Sequence, residues 1–328
     1  MDHQHKNHAW IGIDVSKKWL DVYFWTLGYL RFPNTSAGIE DLIAKISALD
    51  FGGLVMEATG GYEQALFKTL CGRGIKATIA NPLRIRQFAN GTGKLAKTDR
   101  IDAKVLAEYG AYMTPAPTAQ RSSVRARLRE LMTYRSEIVS EITARMAQMR
   151  LYTQDGVKTR AEQALCSLKA EKKTLDADIE ALIKSDPDMA RAYALLASMP
   201  GVGVIVSAML IAELPELGRL SRRQIAALAG LAPFPRDSGE RRGYRCIRGG
   251  RAEVRTALYN AARVAIRNNA AIMVFAGRLT EKSKPYKVMV TAVMRKMLTI
   301  LNAMIKTGEM WKNMTVKTSP AVAVQTAA

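Results

Sequence analysis

The sequence predicts an α/β domain followed by α structure: a mixed sheet with helices, then a helical coiled-coil arm, then a mainly helical C-terminal domain. Three observations carry this. The first third alternates short apolar runs with amphipathic stretches. A proline-containing linker, "TPAPTAQ", then marks an abrupt change. Beyond it, helix formers with basic faces dominate, interrupted by glycine-rich turns. The boundaries drawn are 9–115, 120–195, where the arm is expected to dimerise, and 196–311, with 312–328 as a disordered tail.

Each element of the first domain has its own signal. "AWIGIDV" is an apolar run ending in an acid, "WLDVYFW" alternates like a half-exposed strand, and "YLRF" continues the meander. Mid-strand alternation turns Asp21 outward. "NTSAGIEDLIAKISAL" opens with capping residues and spaces Ile39, Leu42, Ile43 and Ile46 for one helical face. "GGLVMEA" reads as a buried strand and "GYEQALFKTLCGRG" as a helix stopped by glycine. "IKATIAN" is a further strand, closed by Asn81 and Pro82, and "TDRIDAKVLAEYGAY" is the last helix. Three antiparallel opening strands followed by βα units give a mixed sheet covered by helices.

After the linker, Leu131, Ile138, Ile142 and Met149 form one apolar stripe, and Leu168, Leu175, Ile179 and Leu182 another. "QDGVKTR" breaks them into a helical hairpin or coiled-coil arm; a plain bundle accounts for the same pattern. "SMPGVGVIVSAMLIAEL" resembles a helix-hairpin-helix element. Gly201 and Gly203 there either admit a phosphate to backbone N–H groups or let helices pack closely. Tyr286 starts the last long helix.

Composition narrows the function. The 328 residues carry a formal charge of +20, the balance of a chain that neutralises a polyanion, most often nucleic acid. Three scattered cysteines lack zinc spacing and a disulfide framework, which fits a reducing cytoplasm. No apolar run of membrane-spanning length is expected. All three histidines, His3, His5 and His8, lie in the polar head, which reads as a frayed, tag-like tail. Chemistry in the body must therefore use carboxylates, hydroxyls, Lys, Arg, Tyr, Cys or metal ions.

The acids supply a candidate. Asp14 and Glu57 end strands, where ligands of open sheets collect. Asp99 and Asp102 lie three apart in a helix's first turn, though Asp99, or Thr98, could equally be its N-cap. Four gathered carboxylates repel one another unless a cation intervenes. Oxygen-only ligation suits Mg²⁺ or Mn²⁺, and paired ions of this kind support phosphoryl displacement. Lys94, Lys97 and Arg100 flank the cluster and would meet phosphate.

"GIDVSK", "MEATGGYE" and "KTDRIDAKVLAEY" resemble the N-terminal DEDD domain of an insertion-sequence transposase family, the one-ten family of bridge-RNA-guided serine recombinases. The resemblance implies a RuvC-like, RNase H-like fold and assigns Asp14, Glu57, Asp99 and Asp102 as the metal-binding acids. In "GLAPFPRDSGERRGYRCIRGG", Ser238 sits among Arg236, Arg241, Arg242, Arg245, Arg248 and Arg251, whose guanidinium forks suit phosphate. A lone Ser-Gly pair is ordinarily a turn; the family's C-terminal domain matches this one to the nucleophile. The resemblance further implies a 5′-phosphoserine intermediate, donor and target DNA, a structured noncoding bridge RNA, and a homo-oligomer, dimeric or tetrameric when DNA is synapsed. It places the protein in a prokaryotic cytoplasm, at the nucleoid when bound to DNA. The rival is a metal-dependent Holliday-junction-type nuclease using only the acids.

Overall fold

A computed structural model describes residues 9–94, 96, 98–120, 122–235, 239, 243 and 245–312. The histidine head, the tail from 313, and Lys97, Arg236, Ser238, Arg241 and Arg242 lie outside the described residues. The chain divides into two compact units, Met1–Arg121 and Ser122–Ala328.

The first unit is built on a five-stranded sheet. Its strands are β1 (Trp10–Val15), β2 (Trp19–Phe24), β3 (Gly28–Pro33), β4 (Gly53–Glu57) and β5 (Ala77–Ala80). Their order is β3-β2-β1-β4-β5. β1, β2 and β3 pair antiparallel, while β4 runs parallel to β1 and β5 to β4. This mixed sheet is consistent with an RNase H-like domain.

Strand alternation sorts side chains between two layers. Ile11, Ile13, Leu20, Val22, Leu54 and Met56 face α1 (Ser36–Ser47) and α2 (Gln64–Gly72), where Leu42, Ile46, Leu66 and Leu70 are fully buried. Thr35 caps α1 by accepting from Gly38 N–H. The opposite face carries Trp10, Gly12, Asp14 and Val55 and receives α4 (Asp99–Met113), with α3 (Pro82–Gly91) beside it. α3 is an addition to the predicted order. Asn81 and Pro82 do not merely close a strand: Asn81 accepts from Leu83 N–H and Pro82 occupies the first turn, a helix start.

The second unit is helical: α5 (Ser123–Met149), α6 (Asp155–Ser185), α7 (Pro187–Ala197), α8 (Val204–Glu213), α9 (Arg222–Leu228), α10 (Ala252–Asn268), α11 (Ala270–Glu281) and α12 (Tyr286–Thr307). α5 and α6 pair as a hairpin. Their apolar stripes continue into the unit's core, where Leu128, Met132, Ile179 and Leu182 join one cluster with residues of α8, α10 and α12, α8 being the element that both helices contact. Among the described residues α12 does reach the length and apolarity of a membrane span, against expectation. Its apolar side is the core itself: Val290, Val293, Met297, Leu298 and Leu301 are fully buried there. The expected polar loop between α9 and α10 contains a short ribbon, β6 (Pro233–Phe234) paired antiparallel with β7 (Cys246–Ile247).

Candidate active site

Three strands and one helix bring the acids together. Asp14 lies directly opposite Asp21 on β2, and Asp21 directly opposite Arg31 on β3. On the other side of β1 the parallel step Ile13–Met56 puts Glu57 at the next position of β4. Arg31, Asp21, Asp14 and Glu57 thus form one row across four strands. Directly paired residues share a face, here the face that α4 covers.

The approach of α4 is set by Gly12. A β-carbon there would sit 2.1 Å from the carbonyl oxygen of Ala103 and 2.3 Å from the nitrogen of Ala107. Only a bare α-carbon lets the helix backbone rest on β1 at this depth. Asp14 follows Gly12 by two positions on the same face, and Asp102 immediately precedes Ala103. The contact therefore fixes the first turn of α4 against the end of β1. Thr98 is the N-cap, accepting from Ile101 N–H. Asp99 is thereby relieved of capping and belongs, with Asp102, to the first turn.

The electrostatics are those of crowded anions. Burial raises the Asp14 carboxyl to a pKa of about 6, and the carboxylates of Asp102, Glu57, Asp99 and Asp21 push in the same direction. Asp14, Glu57 and Asp102 are half-buried and Asp99 is exposed. The donor chemistry fits a hard divalent cation: oxygen ligands only, with a net repulsion that a cation would remove. Among the described residues, no group of three or more acids, cysteines and histidines is arranged to hold a metal ion as it stands. Asp99 is engaged by Arg31, whose Nη2 donates to Oδ2 at 2.8 Å.

Asp21 overturns its outward assignment. It is 2 % exposed and accepts from Arg31 Nε at 2.7 Å and from the Tyr29 hydroxyl. Period-two alternation assigns two faces within β2 but does not say which one meets the row containing Asp14; the register does. Arg31 was missed as well. A lone arginine in "YLRF" carries no local signal, and its meaning comes from its opposite neighbour on β2.

Glu63, the second acid of "MEATGGYE", is a loop organiser. Its Oε2 accepts from Thr59 N–H at 3.1 Å, Thr59 Oγ1 at 2.7 Å and Gly61 N–H at 2.9 Å. Burial acts to raise its pKa, but these bonds, led by Thr59, outweigh it and hold the carboxyl below its ordinary value. The chain leaving Glu57 is tied down by this one carboxylate.

The expected phosphate contacts divide. The Lys94 ammonium is engaged by Glu108 on α4, and the Arg100 guanidinium lies over the Tyr29 ring, 5.6 Å from its centroid. In the second unit Arg245 and Arg248 are exposed. Arg251 is not free for phosphate: it forms a fork with Glu216 at 2.7 and 2.8 Å and donates to the Glu213 carbonyl at 2.5 Å. At the same neck, a β-carbon on Gly250 would lie 2.1 Å from the Gly230 nitrogen. Arg255 Nη1 ties Gly249 O to Ala229 O. The two ends of the segment expected to carry the nucleophile thus meet at Gly230 and Gly250. Gly201 resolves toward packing, since its β-carbon would meet Ala265 at 2.7 Å, while Gly203 faces open space at the N-cap of α8.

Two stretches of the chain match transposase signatures. Residues 11–153 match a DEDD transposase of the IS110 type, and residues 193–275 match the transposase IS116/IS110/IS902 family. The pilin gene-inverting protein of Moraxella lacunata is 30% identical over 316 residues, 91% of this chain and 96% of its own. The chain belongs to the IS110 transposase family. The pilin gene-inverting protein of Moraxella bovis matches to the same extent. A protein of insertion element IS110 from Streptomyces coelicolor is 24% identical over 64% of this chain and 52% of its own. The four acids fall within the first matched stretch, and the Ser238 loop within the second.

Proposed function

We propose that this IS110-family transposase is an RNA-guided DNA recombinase that cuts and rejoins donor and target DNA through a serine ester. The reading rests chiefly on the row of acids at the α4 face, with Asp14 driven to about 6 by burial and its neighbours. Asp14, Glu57, Asp99 and Asp102 would hold Mg²⁺ or Mn²⁺. Such ions, when bound, offset charge on the phosphate and on the departing oxygen. Ser238 Oγ attacks phosphorus, the bond to the 3′-oxygen breaks, and the 3′-hydroxyl leaves with the proton lost from serine. The DNA is left joined through a 5′-phosphoserine. Attack by another strand's 3′-hydroxyl reverses these events and restores serine.

An ester keeps the free energy that hydrolysis would discard, so rejoining needs no outside source. Two of the relatives are named for inverting a gene, an outcome that requires joining as well as cutting. That favours recombination over the junction nuclease. Arg245 and Arg248, with Arg236, Arg241 and Arg242, would meet nucleic-acid backbone, and Gly203 a phosphate at the start of α8. A structured noncoding RNA would choose the DNA by pairing, and a homo-oligomer assembled at the nucleoid would join the two DNAs.

The deciding experiment is a denaturing gel of the protein with labelled DNA and Mg²⁺. A covalent protein–DNA band is expected, absent from Ser238→Ala. Free nicked ends at an unchanged rate in Ser238→Ala would instead establish the nuclease. Sequencing RNA that copurifies with the protein tests guidance; recovery of only degraded cellular RNA would remove that part.

A further inference from the structure

The acidic row ends in a base. Arg31 sits directly across β3 from Asp21, and Asp21 directly across β2 from Asp14. One guanidinium therefore spans two acids: Nε donates to buried Asp21 at 2.7 Å, and Nη2 donates to exposed Asp99 at 2.8 Å. The arm is steadied further by the Trp19 ring, whose centroid lies 5.6 Å from Cζ. The two bonds differ in kind. Asp21 is 2 % exposed and receives a second bond from Tyr29, so releasing Arg31 there would strand a buried anion. Asp99 has a side chain 63 % exposed and can exchange partners at little cost.

We propose that Arg31, anchored by Asp21, is a resident counter-cation of the acidic site, holding Asp99 until a divalent metal ion takes its place. This rests on the reading of Asp14, Glu57, Asp99 and Asp102 as metal ligands. Arg31 and Asp21 are positioning residues in this scheme. The permanent charge offsets part of the repulsion among the acids while the site lacks an ion. It also competes for Asp99, and so sets a higher ion concentration for filling the site than the acids alone would require. Asp21 keeps Arg31 beside the site after Asp99 has moved.

The test is calorimetric titration of the whole protein, without nucleic acid, with Mn²⁺. Wild type, Asp14→Asn, Arg31→Gln and the double variant Asp21→Asn/Arg31→Gln are compared, each checked for native circular dichroism. The double variant removes the buried anion together with its partner, so it should fold even where Arg31→Gln does not. The expected result is that Asp14→Asn loses the binding, while removing Arg31 tightens it roughly two- to fivefold, the worth of an exposed ion pair. Binding that is lost in Asp14→Asn but unchanged or weaker without Arg31 overturns the counter-cation and leaves the metal site standing. Equal binding by wild type and Asp14→Asn, or none by any of the four proteins, overturns the acidic-site reading itself, and the counter-cation with it.

Discussion

Gly12 and Ala103 meet backbone to backbone: a β-carbon on the glycine would lie 2.1 Å from the alanine's carbonyl oxygen. The strand bearing Asp14 and the helix bearing Asp99 and Asp102 are registered through this contact. Their relative placement depends on the absence of one methyl group.

Gly12→Ala should therefore force α4 off the sheet, costing about 1–3 kcal/mol of stability by overpacking and abolishing metal-dependent DNA cleavage. Gly72→Ala, whose methyl would meet nothing within 4 Å, should leave cleavage unchanged and stability unchanged or slightly raised. Thermal melts and a cleavage assay on the two variants check this; equal behaviour would mean that the acids do not depend on the depth of α4.

The Asp14 carboxyl gives a pH signature. Its folded pKa of about 6 lies above its ordinary 3.8, so between those values the folded state holds more proton than the unfolded chain. Stability from this group is present at low pH and is lost as pH rises through 6, by on the order of 1 kcal/mol once solvent screening is allowed for. Urea melts of the metal-free protein from pH 4.5 to 7.5 should show this decline, Asp14→Asn should flatten it, and excess Mg²⁺ should reverse it at the upper end. A rise through the same interval in wild type, absent from Asp14→Asn, would contradict the assignment.

Arg251 and Arg248 should separate cleanly. Arg251→Ala removes the fork to Glu216 and should lower stability by about 1–3 kcal/mol, with no change in the salt dependence of DNA binding. Arg248→Ala should leave the melting temperature alone and reduce the slope of log affinity against log salt by about 0.9, one phosphate contact. Melts paired with binding titrations at several salt concentrations read both; the reverse pattern would return Arg251 to the nucleic-acid surface.

Glu63→Gln weakens the acceptor at Thr59 and Gly61 and should cost about 1 kcal/mol at neutral pH. Because the wild-type carboxyl is held low, its contribution is present above the ordinary carboxylate range and is lost as pH falls through the lowered value. The stability gap between wild type and Glu63→Gln should accordingly narrow in acid; a gap that widens would show that the bonds to Thr59 and Gly61 do not favour the charged form.

The strands and the amphipathic helix α1 were legible because each announces itself within a dozen residues: alternation in "WLDVYFW", and Ile39, Leu42, Ile43 and Ile46 on one face, all buried. Glu57 was legible as a strand end, and Asp14 falls one residue short of one, since β1 runs to Val15. What escaped depends on register or on very short elements. Asp21 and Arg31 acquire roles only when β1, β2 and β3 are laid side by side. The ribbon has two residues per strand, too few for a period to show. Pro82 signals either the end of a strand or the first turn of a helix, and only the Asn81 cap on Leu83 decides. Arg251 shares its composition with its neighbours and differs by having Glu216 within reach, which spacing along the chain cannot disclose.

The pinched neck at Gly230 and Gly250 has a wider bearing. A stretch of chain fastened where it departs and where it returns transmits little of its own length to the helices beneath. Lengthening such a stretch is thermodynamically mild, on the order of 0.6 kcal/mol for each doubling. An insertion between Gly230 and Gly250 should therefore leave the helical unit's melting nearly unchanged.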